Sequence, residues 1–482
     1  MILRVFETHK DKSFFLYERL NGEFMKKHLL SFMACALALP VLVVGCSAAP
    51  LANAPTQSPN NALIGSALGY DNYVYFANAF QPNGEMEDGY DKANTGIYRI
   101  AMDENKKIEK DEETSLAKGQ EKVIAKVVGS EYTFMYGSGN FIYFAAPSAQ
   151  INPETHGEHF YSHNDYFRVN TDGTGLKKFY TSDNSVTQQT VLKINGAEYL
   201  VLVDGNKLVQ FKLGQTIGEK VVLAEDFTSV IFADKYQAPG DDIAYYLKDI
   251  PEGNENLGRT GKLLYDVNIV SGECSQGKDD DENPIALNET QTKEITLEKV
   301  AFGNLYFTFN DIADVKQYAK TSTAAFGYNN IIAKGITSAS AFEVILGEDN
   351  ETYYVFANDT ATYALPHGTV NIAGHQLVDE KVNVLFTYGD YVYFTYSSSD
   401  SAAGIHRISV QDKDIEIVTD MTSIKTSNIA FDGKYIYFFA LNEDNTTGTY
   451  YMHRAKVDTG IANAELLSVL LEDDMPQADE EE

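Results

Sequence analysis

Tryptophan is missing altogether, cysteine occurs three times, and Lys and Arg together number 38 against 69 Asp and Glu. Each shortage closes a class of function. Three thiols cannot build a disulfide framework or a four-thiolate zinc site. A formal charge of -31 opposes nonspecific binding to nucleic acid, whose phosphates need a Lys/Arg face. No glycine-rich phosphate loop and no Gly-x-Gly-x-x-Gly fingerprint sits between a strand and a helix. Gly137-Ser138-Gly139 is too short for a nucleophile elbow and precedes a strand rather than a helix. Aromatic residues are plentiful instead. With 31 Tyr and 27 Phe in a chain that is 44% hydrophobic, the sequence is too apolar for a disordered protein. Its 482 residues suffice for one large domain or about three of average size.

The first informative stretch is residues 25–46, MKKHLLSFMACALALPVLVVGC. Lys26 and Lys27 form a charged start, Leu29 to Val44 an apolar run, and Gly45 precedes Cys46. That order is the order of a secretory signal. The competing reading is a membrane anchor or a buried helix. The run is shorter than the ~20 residues a spanning helix needs, and Pro40 interrupts it. The ending Val43-Val44-Gly45-Cys46 resembles the bacterial lipoprotein box, in which the Cys thiol receives diacylglycerol and becomes the new terminus. The resemblance implies that 25–45 is a signal peptide, that Cys46 is lipidated, and that Cys274 is the remaining thiol. Residues 1–24 suit no signal and are expected to be a mis-called start, with Met25 the true one. Residues 46–62 carry the lipidated Cys and a small, polar, Pro-containing flexible tether.

Beyond the tether one phrase recurs: a turn residue, then a short strand of Tyr, Phe, Val and Ile. Clear copies are Asp71 to Phe76, Gly139 to Phe144, Gly389 to Phe394 and Gly433 to Phe438. Weaker ones are Gly196 to Val201, Asp241 to Tyr246, Gly303 to Phe307 and Glu351 to Phe356. Their central tyrosines stand at 75, 143, 199, 245, 306, 354, 393 and 437. A second phrase, aromatic with Arg or His, often follows, as in Thr95 to Ile100, Asp165 to Val169, Gly404 to Ile408 and Tyr450 to Arg454. The Gly-rich hairpin turn Asn170 to Gly175 and an outward strand from Leu176 to Tyr180 complete one copy. Helical periodicity is scarce, and Asn310 to Ala325 is its best candidate.

Short strands, aromatic cores and a recurrence of about 40–60 residues predict an all-β chain folded as a single β-propeller over 63–471, with seven or eight four-stranded blades. A multi-sheet β-sandwich arrangement is the alternative. The two phrases and the following Asp-Gly-Thr resemble a bacterial propeller-like repeat family of exported proteins, a distant analogue of the YWTD propeller. The resemblance implies the propeller fold and leaves function unassigned. The absence of Trp departs from the YWTD form and from quinoprotein-type repeats, which argues against a quinone cofactor. Residues 472–482 carry no repeat and read as an acidic, disordered tail.

Site chemistry is sparse. His156, His159 and His163 fall within eight residues beside Glu154, Glu158 and Asp165. Imidazoles with carboxylates can bind zinc. The pattern is not His-Glu-x-x-His, and Pro153 and Gly157 suggest a loop, so a solvated polar loop is the competing reading. Lys278 to Asn283 carries several carboxylates that could attract calcium, but lacks the alternating register that wraps the ion. Tyrosines within the repeated strands are expected in the core, with sugar stacking the rival role. Paired carboxylates for glycoside hydrolysis are numerous, and sequence does not give their separations.

These features predict an extracytoplasmic lipoprotein, anchored to a bacterial membrane through Cys46, without enzymatic activity or a cofactor. A protein or glycan ligand is expected on a propeller face, and nucleic acid is not. The competing function is a glycoside- or metal-dependent hydrolase or lyase on the same scaffold.

Overall fold

In a computed structural model, the described residues lie between 65 and 467, excepting 79–83, 86–95, 102–120, 126–133, 152–157, 234–241, 251–261, 277–285, 288–292, 311–314, 324–329, 334–335, 337–338, 399–402, 427–428, 442–449 and 458–463. They form eight antiparallel sheets and, among the described residues, no helix. The sheets are the blades of a single β-propeller, numbered here one to eight in chain order. Blade one is built from Ala67–Tyr70, Tyr73–Asn78, Gly96–Ala101 and Glu121–Ala125. Blade eight is built from Ala430–Phe431, Tyr435–Leu441, Tyr450–Lys456 and Glu465–Leu466. Blade two gains a fifth strand, Gly84–Glu85, from the segment between the second and third strands of blade one. Blade four has its outer edge in two pieces, Cys274–Gln276 and Ala286–Leu287.

The second strands are Tyr73–Asn78, Phe141–Ile151, Ala197–Asp204, Ile243–Asp249, Asn304–Asn310, Thr352–Ala357, Tyr391–Tyr396 and Tyr435–Leu441. Every copy of the first phrase, clear or weak, runs into one of them. A second strand lies mid-blade, so side chains on both its faces are buried between neighbouring blades. Alternate residues point to opposite faces of a sheet. In Tyr435–Leu441, Tyr435, Tyr437 and Phe439 enter the core shared with blade one. Ile436, Phe438 and Ala440 enter the core shared with blade seven. The result is a run that is apolar at every position.

Eight apolar cores result, one at each blade-to-blade interface. Each fully buried large side chain contributes about 1.5–3 kcal/mol relative to exposure. The ring is closed by blade eight packing on blade one. Among the described residues no strand is shared across that seam: the eighth sheet is built of four consecutive strands.

Tight turns sustain the hairpins between first and second strands. Asp71-Asn72 (φ 49° and 63°) and Asn195-Gly196 (φ 50° and 78°) each place two consecutive residues in the left-handed region. That conformation gives the hairpin a twist matching its strands. Gly404 is fixed more strictly: at φ 106°, a Cβ would lie 1.8 Å from the Thr419 carbonyl oxygen.

The stretch 310–325, the best candidate for helical spacing, is not helical in its described residues. Most of them belong to strands Asn304–Asn310 and Lys316–Ser322, the middle of blade five. Tyr318 packs toward blade six and Ala319 toward blade four, so burial on two opposite faces overrides the weak helical spacing.

First strands of neighbouring blades approach one another, which makes them the innermost layer. Chain direction then sorts the connections. Hairpins between first and second strands, and between third and fourth, emerge at one end of the ring, the hairpin end. Connections between second and third strands, and from each blade to the next, emerge at the other, the connection end.

Candidate functional site

At the hairpin end the repeat builds a clasp. Tyr75 stands opposite Arg99, Tyr143 opposite Arg168, Tyr393 opposite Arg407 and Tyr437 opposite Arg454. Each guanidinium also covers the aromatic ring two residues before the tyrosine: Tyr73, Phe141, Tyr391 and Tyr435, at 4.4, 4.3, 4.6 and 4.4 Å from the centroids. Strand alternation places those two aromatics on one face, within reach of the same long side chain. In blades one and two the cation reaches across to the next blade. Arg99 Nη1 donates to the Thr171 carbonyl at 2.8 Å, and Arg168 Nη1 to the Gly214 carbonyl at 2.9 Å. Tyr143 Oη donates to the same Gly214 oxygen at 3.0 Å. In blades seven and eight the cation stays at home, with Arg407 Nε 2.6 Å from Glu416 and Arg454 Nε 2.8 Å from Glu465. The central tyrosines of all eight phrases are buried. They hold the ring together.

The inner wall carries charge. Lys299, Glu343 and Thr387 come from the first strands of blades five, six and seven. The Lys299 ammonium pairs with the Glu343 carboxylate, and Thr387 Oγ1 donates to the same carboxylate at 3.3 Å. Three consecutive blades are thus tied at the innermost layer by groups that also present fixed charge there.

The connection end of blades two and three holds a denser polar node. Asp204, fully buried, accepts from Tyr180 Oη at 2.6 Å and from the Asp183 and Asn184 amides at 2.8 and 2.7 Å. Burial first, then the Asp204 carboxylate, pushes the Tyr180 phenol well above its ordinary range, keeping it a neutral donor. Asp165 accepts from Thr181 Oγ1 at 2.5 Å and Lys178 Nζ at 3.2 Å. Ser182 Oγ accepts from the Asn164 amide at 2.9 Å and donates to the Asn184 carbonyl at 2.8 Å. Sequence reading missed this node. Its only local signal is the turn composition of Ser182-Asp183-Asn184 and Asp204-Gly205-Asn206.

The predicted metal segment is split. Cys46, His156 and the acidic run Lys278–Asn283 lie outside the described residues. His159 and His163 stand on the long strand Glu158–Asn170. Residues 158–163 are therefore strand, where Gly157 and Pro153 suggested a loop, because they prolong the hairpin with Phe141–Ile151. His159 is opposite Gln150 on one side and Glu85 on the other. Among the described residues no three His, Cys, Asp or Glu side chains gather as a metal site. Cys274 is exposed on the outer edge of blade four, its Sγ 2.8 Å from Tyr246 Oη.

No protein-family model matches the sequence, and no curated protein matches it. Among solved structures, partial likeness is found to several proteins. A puromycin hydrolase is 11% identical, with 70% of this chain and 53% of that one covered at a TM-score of 0.46. This chain therefore spans about half that protein's length. The β-propeller domain of the Trilobed protease from Pyrococcus furiosus is 8% identical, with 71% and 97% covered at 0.40. The Dos1 propeller is 8% identical, with 70% and 92% covered at 0.42. At these identities the likeness concerns fold alone. The class defined by the sheets is an eight-bladed β-propeller.

Proposed function

We propose that this chain is an extracytoplasmic binding or scaffolding propeller, held at a bacterial membrane by a lipid on Cys46. One observation carries the binding role: the repeated residues are consumed in joining blades. Buried aromatic side chains sit in the cores at all eight interfaces, tyrosines in seven of them, and the arginines of blades one and two reach across to the next blade. What differs between blades is the connections, from Gly205-Asn206 in blade three to residues 79–95 in blade one. A rigid frame with variable connections at one end suits recognition of a protein or glycan. The anchor rests on the order of charge, apolar run, Gly45 and Cys46 in the sequence. Acylation by more than one chain gives stable attachment.

The test uses the full chain in a bacterial host. Metabolic labelling with an alkyne fatty acid should mark the parent, while Cys46→Ser should lose both the label and the membrane fraction. Photo-crosslinking residues at Asn358 and Ser398, on the connection end, should trap discrete envelope partners. The same probe at Asn195, on the hairpin end, should not. Labelling that survives Cys46→Ser, or equal trapping from both ends, refutes the corresponding half of the reading.

A further inference from the structure

The clasp between blades five and six departs from the pattern set by blades one and two. The central tyrosine of blade five, Tyr306, stands opposite Lys320 in place of an arginine. In blades one and two the cation meets a backbone carbonyl in the next blade's hairpin between third and fourth strands. Here the corresponding hairpin of blade six brings a side chain, the exposed His367, held in place by its amide donating to the Thr352 carbonyl at 2.8 Å. Lys320 Nζ lies 3.5 Å from His367 Nδ1 and 5.8 Å from the centroid of the Tyr354 ring. Tyr354 Oη is closer to the same nitrogen, at 2.8 Å.

An ammonium can only donate, so the Nδ1 that faces both Lys320 and Tyr354 is assigned as the acceptor. With Tyr354 donating to Nδ1, the imidazole carries its hydrogen on Nε2. The ammonium is then left with a long contact to a nitrogen already engaged and with the face of a ring. Other lysines in this acidic chain meet carboxylates: Lys178 with Asp165, Lys207 with Asp183, Lys299 with Glu343, Lys381 with Asp359. Among the described residues no carboxylate stands within ion-pairing distance of Lys320. Partial burial adds to the need for an anion, because it pushes the Lys320 ammonium below its ordinary range. Tyr354, its phenol pushed up to about 12 by burial, remains a neutral donor that orients the imidazole.

We propose that blades five and six form a binding site for the oxyanion of an acidic ligand, a carboxylate or a phosphate, held by the Lys320 ammonium and the Nε2–H of His367. Tyr354 is the positioning residue. The site lies at the hairpin end, away from the variable connections, so it stands or falls independently of the function proposed above. A single ammonium beside a neutral N–H donor, on a chain of net negative charge, also gives selectivity, since nearby acids repel anions that the two groups do not hold. Binding weakens as salt is raised.

The experiment is calorimetric titration of the full chain, purified in detergent, with sodium glucuronate and, separately, with inorganic phosphate. Sodium chloride of equal ionic strength is the reference. Saturable binding of either anion is expected, weakened about tenfold or more in Lys320→Gln and His367→Gln and largely kept in Lys320→Arg. Both replaced side chains lie at the ring's surface, and thermal melts should place the apo variants within a few degrees of the parent. Glucuronate alone identifies a carboxylate ligand and phosphate alone a phosphorylated one. Either supports the site. No saturation by tens of millimolar anion, or equal binding by Lys320→Gln and the parent, overturns it.

Discussion

The interface between blades one and two and the seam between blades eight and one solve the same problem differently. Both bury a comparable apolar cluster: Tyr75, Met135, Ile142 and Phe144 at the first, Phe76, Tyr98, Tyr437, Phe439 and Met452 at the seam. Blades one and two are also joined by the chain itself and by side chains that grip backbone oxygens. Tyr70 Oη donates to the Gly139 carbonyl at 2.7 Å, and Arg99 to Thr171. At the seam a carboxylate occupies the equivalent region. Asp432 accepts from the Lys434 and Tyr435 amides at 2.9 and 2.7 Å and from Tyr437 Oη at 2.6 Å. It lies against Gly69 of blade one, where an added Cβ would sit 2.9 Å from its Oδ2. Apolar packing therefore closes the ring, and the polar groups around it decide how each interface responds to pH.

The largest expected effect breaks the seam itself. Phe439→Ala and, as its counterpart, Phe144→Ala should each cost about 3–5 kcal/mol, the usual loss for a buried phenylalanine, read from urea unfolding. A much smaller loss for Phe439→Ala would mean that the seam is less tightly packed than the other interface. Arg99→Met should cost about 1.5–3 kcal/mol, the range of a charge-assisted hydrogen bond, in the same measurement. Gly137→Ala tests the packing beside it, since its Cβ would lie 2.5 Å from the Tyr70 ring. A loss of about 1–3 kcal/mol is expected for such overpacking. Combining it with Tyr70→Leu should return part of that loss.

The smallest effect is in the pH profile. Burial holds the Asp432 carboxyl above its ordinary 3.8. The folded chain therefore binds that proton more tightly than the unfolded chain. The group's contribution is greatest below about 3.8 and declines as pH rises through the raised value. Asp432→Asn keeps an oxygen for the two amides and removes the decline. Its melting temperature relative to the parent should climb as pH rises from 3.8 and then level. Arg99→Met should show no such climb, because the guanidinium stays charged throughout. An opposite slope for Asp432→Asn would mean that the three hydrogen bonds outweigh burial.

Legibility from sequence followed burial. Second strands such as Tyr435–Leu441 have both faces in cores, so they read as uninterrupted aromatic runs and announced the blades. Even the weak copies, Asp241 to Tyr246 among them, lead into second strands. First and outer strands were harder. Lys293–Ala301 alternates little and includes the charged Glu298 and Lys299, because the innermost layer is only partly buried. Cys274–Gln276 is short and exposed, and had no apolar pattern to declare it. The stretch over 310–325 misled because two strands flanking a short connection can mimic a helical spacing. His159 and His163 were visible as neighbours, but the strand that carries them was not.

Composition and repetition by themselves determined that this chain is all-β and that its blades are built around tyrosine. Those properties are written in local runs, because each blade must bury the same kind of strand on both faces. Only the tertiary structure decided the blade number, the packing of blade eight on blade one and the company each charged group keeps. Lys320 and His367 stand 47 positions apart, as do many pairs with no relation at all. They meet because successive blades turn by a fixed step and bring their hairpins side by side.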